Sequence, residues 1–327
     1  MIKKIGIYRT DCLQPHRNLA VEKLLLERVE PGQCILYLWQ NQNTVVIGKN
    51  QNAWLECRTS LLEQEGGTLA RRLSGGGAVF HDIGNLNFTF LLPDEDYDVD
   101  RQLGVIARAC ALAGIETEKS GRNDLLAQGR KFSGNAFYHS GGRGYHHGTL
   151  MVDVDKQKLS RYLSPPKAKL EAKGVTSVRS RVVNLNELAP GLTCRQMAVY
   201  MEQAFAEEYG LTPQALELPD SLLQEVEDTA RLYGSWDYLY GTALPFTFQC
   251  EQRFDWGHFL LQLQAKAGVV IGVKAYSDAM DWTLPSQVEQ ALLGCRFQTE
   301  ALTQALAAMP DEQTAQDLAA MLRQQNI

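Results

Sequence analysis

Long apolar runs, an excess of basic residues and a secretory leader are all absent from this sequence. Nothing in its 327 residues approaches the roughly 18 consecutive apolar residues of a transmembrane helix. Lysine and arginine total 32 against 38 aspartates and glutamates, a net charge of −6, so the chain lacks the basic field typical of nucleic-acid binding. The amino terminus, MIKKIGIYRTD, has no long apolar segment that would serve as a signal peptide. We therefore expect a cytoplasmic protein with neither a nucleic acid nor a membrane as partner.

Several catalytic and ligand-binding patterns are also missing. The seven cysteines are odd in number, widely spaced and without a CxxC pair, which argues against a disulfide framework and a zinc site. There is no GxSxG, and no cysteine stands in a context that identifies a nucleophile, so a covalent enzyme intermediate is not indicated. No GxxxxGK[ST] occurs, and Gly75-x-Gly77 is followed by Phe80 where a dinucleotide-binding fold needs Gly or Ala.

The length and the order of the patterns indicate two domains. At about 150 residues per domain, a chain of 327 residues suggests two. Strand and helix patterns alternate from a strand at Lys4–Arg9 and a helix at Asn18–Val29 onward, and the pattern changes around Tyr240–Pro245. We predict a large α+β domain over residues 1–244 and a small α+β domain over residues 245–327.

The segment TLARRLSGGGAVFHDIGN, residues 68–85, is the first that carries chemistry. Consecutive glycines let a ligand approach the bare main chain and meet several N–H donors, which suits phosphate or carboxylate. Strand alternation places Arg72 beside the small residues Ala70 and Ser74, so we prefer Arg72 to Arg71 as the ligand-binding arginine. The alternative is a glycine-rich surface turn with solvated arginines.

A second segment, GRNDLLAQGRKFSGNA at residues 121–136, predicts a β-hairpin that turns at Gln128–Gly129. Alternation predicts one polar face that carries Lys131, Ser133 and Asn135, and an opposite face that carries Phe132, Gly134, Ala136 and Tyr138. Lysine is a compact point charge that can follow moving negative charge. An ordinary exposed strand face is the alternative, since most lone charges on strands are solvated.

Acidic and histidine side chains near this hairpin are further candidates. Asn123 and Asp124 are suitable ligands for magnesium, which takes one or two carboxylates beside water and phosphate oxygens; the alternative is a turn or cap. His146 and His147 are adjacent in a predicted strand and point to opposite faces. We expect His146 to be packed in the core and His147 to line a pocket, although a satisfied polar residue fits His147 equally well.

The segment KGVTSVRSRVVNL, residues 173–185, is polar and basic. It has the composition of a lid that closes over an anionic intermediate and excludes water. A solvated surface loop is the alternative.

Taken together, these segments resemble the lipoate–protein ligases of the bacterial type. The resemblance covers essentially the whole chain and is most specific over residues 34–185. It extends to Leu38-Trp39 followed by TVVIG, and to RFDWG at residues 253–257. The motifs that carry it, in chain order, are RRLSGGGAVFHDIGN, GRNDL, GRKFSGNA, YHHGTL and KGVTSVRSRVVNL.

The resemblance implies the mixed-sheet α+β fold of biotin and lipoate ligases, followed by an accessory domain. It implies that lipoate and MgATP form lipoyl-AMP and pyrophosphate. The lipoyl group then passes to the ε-amine of a lysine on an apo lipoyl domain, either of a 2-oxoacid dehydrogenase E2 subunit or of the glycine-cleavage H protein. ATP and Mg²⁺ are therefore expected as co-substrate and metal, with no bound prosthetic group.

The resemblance also implies roles for individual residues. Lys131 is the expected catalytic residue, shared between nucleotide and lipoate. Asp124 remains the candidate metal ligand, and the loop Val175–Val182 is expected to close on the adenylate. Leu73 departs from members that have a small polar residue there, but lies on the face away from Arg72. The other expected nucleotide contacts are Arg72, Gly77, Ala78, Val79 and Phe80, and lipoate is expected to contact Arg72, Trp39 and His147.

Three other functions are possible from the sequence. An ATP-independent octanoyl or lipoyl transferase shares this fold but uses a cysteine, and no cysteine lies between Cys110 and Cys194. A non-catalytic module that binds lipoate or a lipoyl domain would not need Arg72, the glycine loop and Lys131 together. A biotin ligase would need a GRGRxGR-type segment, which is absent. Nothing in the sequence requires more than a monomer.

Overall fold

The computed structural model describes residues 1–120, 124–163, 182–240, 248–266 and 268–325. The predicted domain boundary at 244/245, the metal candidate Asn123 and the predicted lid up to residue 181 lie outside these residues.

The secondary structure alternates strands and helices in the first part and ends in three helices. The described strands are β1 (Lys4–Arg9), β2 (Gln33–Trp39), β3 (Thr44–Ile47), β4 (Thr68–Arg71), β5 (Val79–His81), β6 (Asn85–Pro93), β7 (Glu118–Ser120), β8 (Asp124–Ala127), β9 (Arg130–Ser140), β10 (Arg143–Met151), β11 (Gln214–Ala215), β12 (Phe248–Phe254), β13 (Gly257–Lys266) and β14 (Val269–Ser277). The described α-helices are α1 (Pro15–Arg28), α2 (Ala53–Glu56), α3 (Thr59–Gln64), α4 (Val99–Leu112), α5 (Lys156–Tyr162), α6 (Leu185–Leu188), α7 (Cys194–Tyr209), α8 (Asp220–Tyr233), α9 (Trp236–Tyr240), α10 (Leu284–Leu292), α11 (Thr299–Leu306) and α12 (Glu312–Arg323).

A large mixed sheet organises the first part of the chain. Within the described residues it has eight strands in the order β11-β1-β2-β6-β10-β9-β8-β7. Strand β1 runs parallel to its neighbours β2 and β11, and the other pairs are antiparallel. The mixed α+β class predicted from the sequence is confirmed.

Both faces of this sheet are covered, as the unbroken apolar run CILYLW in β2 requires. Leu36 and Leu38 pack into a core that includes side chains of α4 and α7. Tyr37 and Trp39 point to the opposite face and pack with α1 and α8. The site described below lies on this second face.

Two smaller sheets complete the structure. Strands β4-β3-β5 form one of them, which packs with α3 and α5. Strands β2 and β3, adjacent in sequence, therefore belong to different sheets. Strands β12-β13-β14 form the other sheet, which shares a hydrophobic core with the helices α10–α12. We call residues 248–266 and 268–325 the C-terminal unit.

His146 lies in the core of the large sheet, as its alternation with His147 predicts. It is fully buried, and its ring packs against Phe88 and Phe90. Its Nδ1 lies 2.9 Å from Gln102 Oε1 and its Nε2 lies 2.8 Å from Asn135 Oδ1. Burial, with a smaller contribution from the nearby His147, lowers the pKa of His146 to about 3. The imidazole is therefore neutral at physiological pH.

We expect the free energy of unfolding to fall as the pH drops from about 7 to about 5.5. Unfolded His146 takes up a proton near its ordinary pKa of 6.5, whereas the folded ring does so only near 3. This difference amounts to about 1 kcal/mol over that interval. Urea denaturation of His146→Gln should show a shallower pH dependence than the wild type, while His139→Gln, at the surface, should keep the wild-type slope. Equal slopes for both variants would contradict a neutral His146.

Candidate active site

A cavity of about 240 Å³ lies beside the large sheet, and the C-terminal unit contributes to its wall. It brings together the described residues that the sequence singled out, although they come from five separate parts of the chain. Those residues are Trp39, Arg72, Gly77, Ala78, Val79, Phe80, Asp124, Lys131 and His147. Val182, the one described residue of the loop Val175–Val182, also lines the cavity.

Arg72 holds the glycine-rich loop in shape. Its Nη2 donates to the carbonyl oxygens of Gly75 and Gly77 at 2.7 and 2.8 Å, and its Nη1 donates to Val46 O at 3.2 Å. Its Nε donates to Ser74 Oγ at 3.0 Å and to Gly75 O at 3.1 Å. Burial lowers the pKa of Arg72 to about 10, so the guanidinium stays charged at neutral pH.

The same contacts orient the loop amides. A peptide N–H points away from the carbonyl of its own planar trans unit. Because Arg72 binds the carbonyl of Gly77, the amide of Ala78 is directed away from Arg72. Ala78 lines the cavity, and a main-chain donor at such a position suits an anion.

Arg71 has a structural role. It is buried, and its guanidinium donates to the carbonyls of Tyr238 and Leu239 and to those of residues 48, 49 and 51. Five carbonyl partners attach this arginine to the backbone outside the cavity. Arg72, in contrast, lines the cavity, and its choice over Arg71 as the ligand-binding arginine stays a prediction.

The backbone of Gly75 lies in close contact with the C-terminal unit. A Cβ at Gly75 would lie 2.4 Å from the carbonyl oxygen of Ala279 and 2.8 Å from that of Met280. The N–H of Gly76, whose φ is +86°, donates to the carbonyl of Ala279 at 3.1 Å. The run of glycines predicts the approach of a ligand, whereas at Gly75 the C-terminal unit makes the close contact.

Lys131 lies on the opposite face of β9 from the one that strict alternation predicts. The pairing of β8 with β9 skips one residue, because Leu125 pairs with Ser133 and Leu126 with Lys131. This bulge places Lys131 on the face of Gly134, where a Cβ would lie 2.8 Å from the lysine Nζ. The predicted grouping of Lys131 with Ser133 and Asn135 is therefore wrong.

The Lys131 ammonium is paired with an acidic side chain. Its Nζ lies 2.6 Å from Asp124 Oδ1, and both side chains are largely buried. Val182 and Val183, the first described residues of the predicted lid segment, lie beside Lys131, and the amide of Val183 donates to the carbonyl of Lys131 at 2.9 Å. The end of the predicted lid therefore lies beside the ion pair of Lys131 with Asp124.

A buried hydrogen-bond network connects the remaining predicted residues. His147 lies between Glu22 and Ser74, with Nδ1 2.8 Å from Glu22 Oε1 and Nε2 2.8 Å from Ser74 Oγ. Thr89 donates its hydroxyl to the same Glu22 oxygen at 2.7 Å and accepts from Trp39 Nε1 at 3.2 Å. Since Arg72 also donates to Ser74, one chain of contacts runs from Arg72 to Trp39.

Sequence reasoning missed the residues that connect this network. Glu22 is 1% exposed and lies in the apolar stripe of α1, between Leu19 and Leu26. A charged residue at such a position is the signal that could have identified it. Thr89 lies in a fully buried strand and gives no comparable signal.

The described part of the site has few side chains that could ligate a metal. Among the residues that the structure describes, no three His, Cys, Asp or Glu side chains form a metal-binding group. A nucleotide-bound magnesium needs only one or two carboxylates, and Asp124 lines the cavity. The residues present therefore fit a magnesium ion carried by a nucleotide better than a metal held by protein alone.

Comparisons with known proteins agree with this geometry. A family model described as the lipoyl protein ligase A/B catalytic domain matches residues 14–206, and one described as the bacterial lipoate protein ligase C-terminus matches residues 243–322. The chain belongs to the lipoate–protein ligase family. It is 38% identical to lipoate-protein ligase A of Bdellovibrio bacteriovorus, over 97% of this chain and 96% of the relative. It is also 38% identical to lipoate-protein ligase A of Blochmanniella pennsylvanica, over 90% and 89%.

A solved structure agrees with this assignment. The crystal structure of P. falciparum LipL1 in complex with lipoate matches with a TM-score of 0.86 at 25% identity, over 98% of this chain and all of that one. The family and fold predicted from the sequence are thereby confirmed. None of the helices in the described part of this ligase is both long and apolar enough to cross a membrane.

We expect Gly75→Ala to loosen the C-terminal unit of this ligase, because the added methyl would overlap the carbonyl oxygens of Ala279 and Met280. Hydrogen–deuterium exchange should become faster at Gly76, whose amide bonds to Ala279. Gly104→Ala is the matched control, since its nearest neighbour would be 3.6 Å away. Exchange at Gly76 that is equally slow in both variants would contradict the close contact.

We expect Glu22→Ala to lower the free energy of unfolding by about 2–3 kcal/mol, because it leaves His147 and Thr89 without a buried acceptor. Glu22→Gln, which retains one oxygen, should cost less. Glu27→Ala on the same helix, in a half-exposed ion pair with Lys23, should have little effect. Urea denaturation measures all three, and equal stability of the two alanine variants would contradict a structural role for the network.

Proposed function

We propose that this ligase activates lipoate with MgATP and then lipoylates a lysine of an acceptor protein. Lipoate and ATP give lipoyl-AMP and pyrophosphate, and the lipoyl group passes to the ε-amine. By family resemblance, the acceptors are lipoyl domains of E2 subunits and the glycine-cleavage H protein. The observation that carries the proposal is the single cavity that holds Lys131, the glycine loop and His147.

The first step brings two anions together. A lipoate carboxylate oxygen attacks the α-phosphorus, so cations must offset the repulsion. Lys131 supplies one charge at the cavity, and its ammonium can be shared between carboxylate and α-phosphate. The main-chain donors of the loop Gly77–Phe80 add oriented dipoles, and each such preorganised donor contributes about 3–4 kcal/mol in comparable sites.

Asp124 has two proposed roles. It pairs with Lys131 at 2.6 Å in the described structure, which holds the ammonium at the cavity. Its carboxylate is also the group that we propose for magnesium. When bound with ATP, magnesium would neutralise charge on the leaving phosphates.

The lipoate chain is proposed to lie toward Trp39 and His147. Trp39 is buried and stacks on Tyr37 with ring centroids 5.7 Å apart. The hydrogen bonds through Glu22 and Thr89 fix the orientation of both cavity-lining rings. A rigid aromatic wall suits an apolar acyl chain, and the buried position limits hydrolysis of the mixed anhydride before the acceptor amine attacks.

The transferase alternative is not favoured, because it needs a cysteine nucleophile. No cysteine lines the cavity among the described residues. Burial raises the pKa of Cys57 and Cys194 to about 12, so neither has the thiolate character of a nucleophile. All seven thiols are free, which supports the proposed location in a reducing compartment such as the cytoplasm.

We expect Lys131→Ala to reduce lipoyl-AMP formation by at least about 100-fold, since it removes the cation that meets both anions. Lipoate-dependent pyrophosphate release from MgATP measures this step. Lys158→Ala, on the exposed side of α5, is the matched control and should behave as the wild type. The circular dichroism spectrum should remain native in both variants.

The same assay tests the proposed function as a whole. Wild-type protein should release pyrophosphate only with lipoate present, and an apo lipoyl domain should gain one lipoyl mass. Near-normal pyrophosphate release by Lys131→Ala would refute the role of this lysine. Absence of both signals from the wild type would refute the ligase activity.

A further inference from the structure

Residues 277–282 of the C-terminal unit contact the loops beside the cavity. The amide of Ser277 donates to Asn50 O at 3.0 Å, and the carbonyl of Ala279 accepts from the glycine loop. The ammonium of Lys49 lies 3.7 Å from the centre of the Trp282 ring. These contacts hold the unit against the loops that follow β3 and β4.

Two charged residues of the unit line the cavity beside this contact. Arg253 Nη1 donates to Asp278 Oδ2 at 3.1 Å, and Asp278 Oδ1 accepts from the amide of His258 at 2.6 Å. The side chains of Arg253 and Asp278 are 20% and 6% exposed. Both line the cavity that Arg72 and Lys131 also line. The ion pair therefore fixes a cation at the edge of the activation site.

Arg72 and Arg253, the arginines that line the cavity within the described residues, differ in how many N–H donors remain unbonded. A guanidinium has five N–H groups. Arg72 directs its Nε, its Nη2 and one Nη1 hydrogen to loop oxygens and to Val46. Arg253 bonds only through Nη1 to Asp278 within the described part of the chain. Arg253 consequently has the greater capacity for phosphate oxygens.

We infer that Arg253 binds the pyrophosphate half of ATP, so that the C-terminal unit contributes a residue to the activation step. This inference rests on the proposed function. When the lipoate oxygen bonds to the α-phosphorus, the bond from that phosphorus to its bridging oxygen breaks. Pyrophosphate leaves with the electron pair. Its negative charge grows during this step, and a planar guanidinium can bind two of its oxygens at once.

Asp278 holds Arg253 in position for this contact. Its second oxygen is anchored by the His258 amide, so the carboxylate is held by β13 while it orients the guanidinium. Arg253 touches the leaving group directly, and Asp278 acts through Arg253 as a positioning residue.

Separate assays of lipoyl-AMP formation and of lipoyl transfer distinguish pyrophosphate binding by Arg253 from a structural role. We expect Arg253→Ala to lower kcat/KM for MgATP in lipoyl-AMP formation by about 10- to 100-fold, the scale of one or two lost charge-assisted hydrogen bonds. Transfer from preformed lipoyl-AMP to an apo lipoyl domain should stay within about twofold of the wild type, because no pyrophosphate takes part. Arg296→Ala, which removes an exposed arginine of the same unit, is the matched control.

Further variants and the reverse reaction identify the substrate end that Arg253 binds. In pyrophosphate-dependent ATP formation from lipoyl-AMP, Arg253→Ala should raise the KM for pyrophosphate and leave that for lipoyl-AMP unchanged. Arg253→Lys should recover part of the loss, since it keeps the charge without the fork. Arg253→Ala with Asp278→Asn removes both charges and tests the same role without a buried unpaired carboxylate.

Each outcome decides the inference. A selective loss of activation, with a raised KM for pyrophosphate, supports it. Equal losses in both half-reactions, or wild-type activation by Arg253→Ala, would overturn it. Failure of the wild type to form lipoyl-AMP would instead overturn the proposed function.

Discussion

The site depends on one buried carboxylate. Glu22 is 1% exposed, and a charged group at such a position is tolerated only when its hydrogen bonds are satisfied. His147 and Thr89 provide them on the same oxygen. Because Thr89 also accepts from Trp39, and His147 reaches Ser74, this carboxylate of α1 sets the orientation of side chains from three sheet strands and the loop after β4. The position of the glycine loop follows through Arg72.

The hydrogen bonds of the Arg72 guanidinium preorganise the site. Its bonds to the carbonyls of Gly75 and Gly77 fix the loop before any ligand is present, and the Gly76 amide is held by Ala279. Preorganisation favours a reaction in which charge moves, because dipoles that are already aligned need not reorganise. These bonds use four of the five N–H groups of Arg72, so its expected contact with substrate stays a prediction. In the proposed mechanism Lys131 and Arg253 supply most of the positive charge that meets the substrate anions.

Most of the fold, and the membership of the cavity, could be predicted from the sequence, because both are carried by local patterns. Period-two alternation correctly separated His146 in the core from His147 in the cavity. It failed at Lys131, because a bulge changes the register between β8 and β9 and no local residue type marks the bulge. Alternation says nothing of Glu22, a helix residue that bonds to the cavity-lining His147, or of Arg253, which reaches the cavity through tertiary packing. Strands β2 and β3 show the same limit, since adjacent apolar segments joined by a short turn belong to different sheets.

The ion pairs at the cavity suggest how one pocket serves two steps. Lys131 with Asp124 and Arg253 with Asp278 each place a carboxylate beside a cation that substrate anions need. A carboxylate keeps the cation at the cavity and offsets its desolvation while no substrate is bound. When phosphate oxygens arrive, the cation exchanges one anionic partner for another instead of being brought in from water, which limits reorganisation. In the proposed mechanism Asp278 can pair with Arg253 again after pyrophosphate leaves, while the adenylate phosphate still compensates Lys131. The neutral amine that attacks the adenylate then meets a cavity in which much of the positive charge is again compensated.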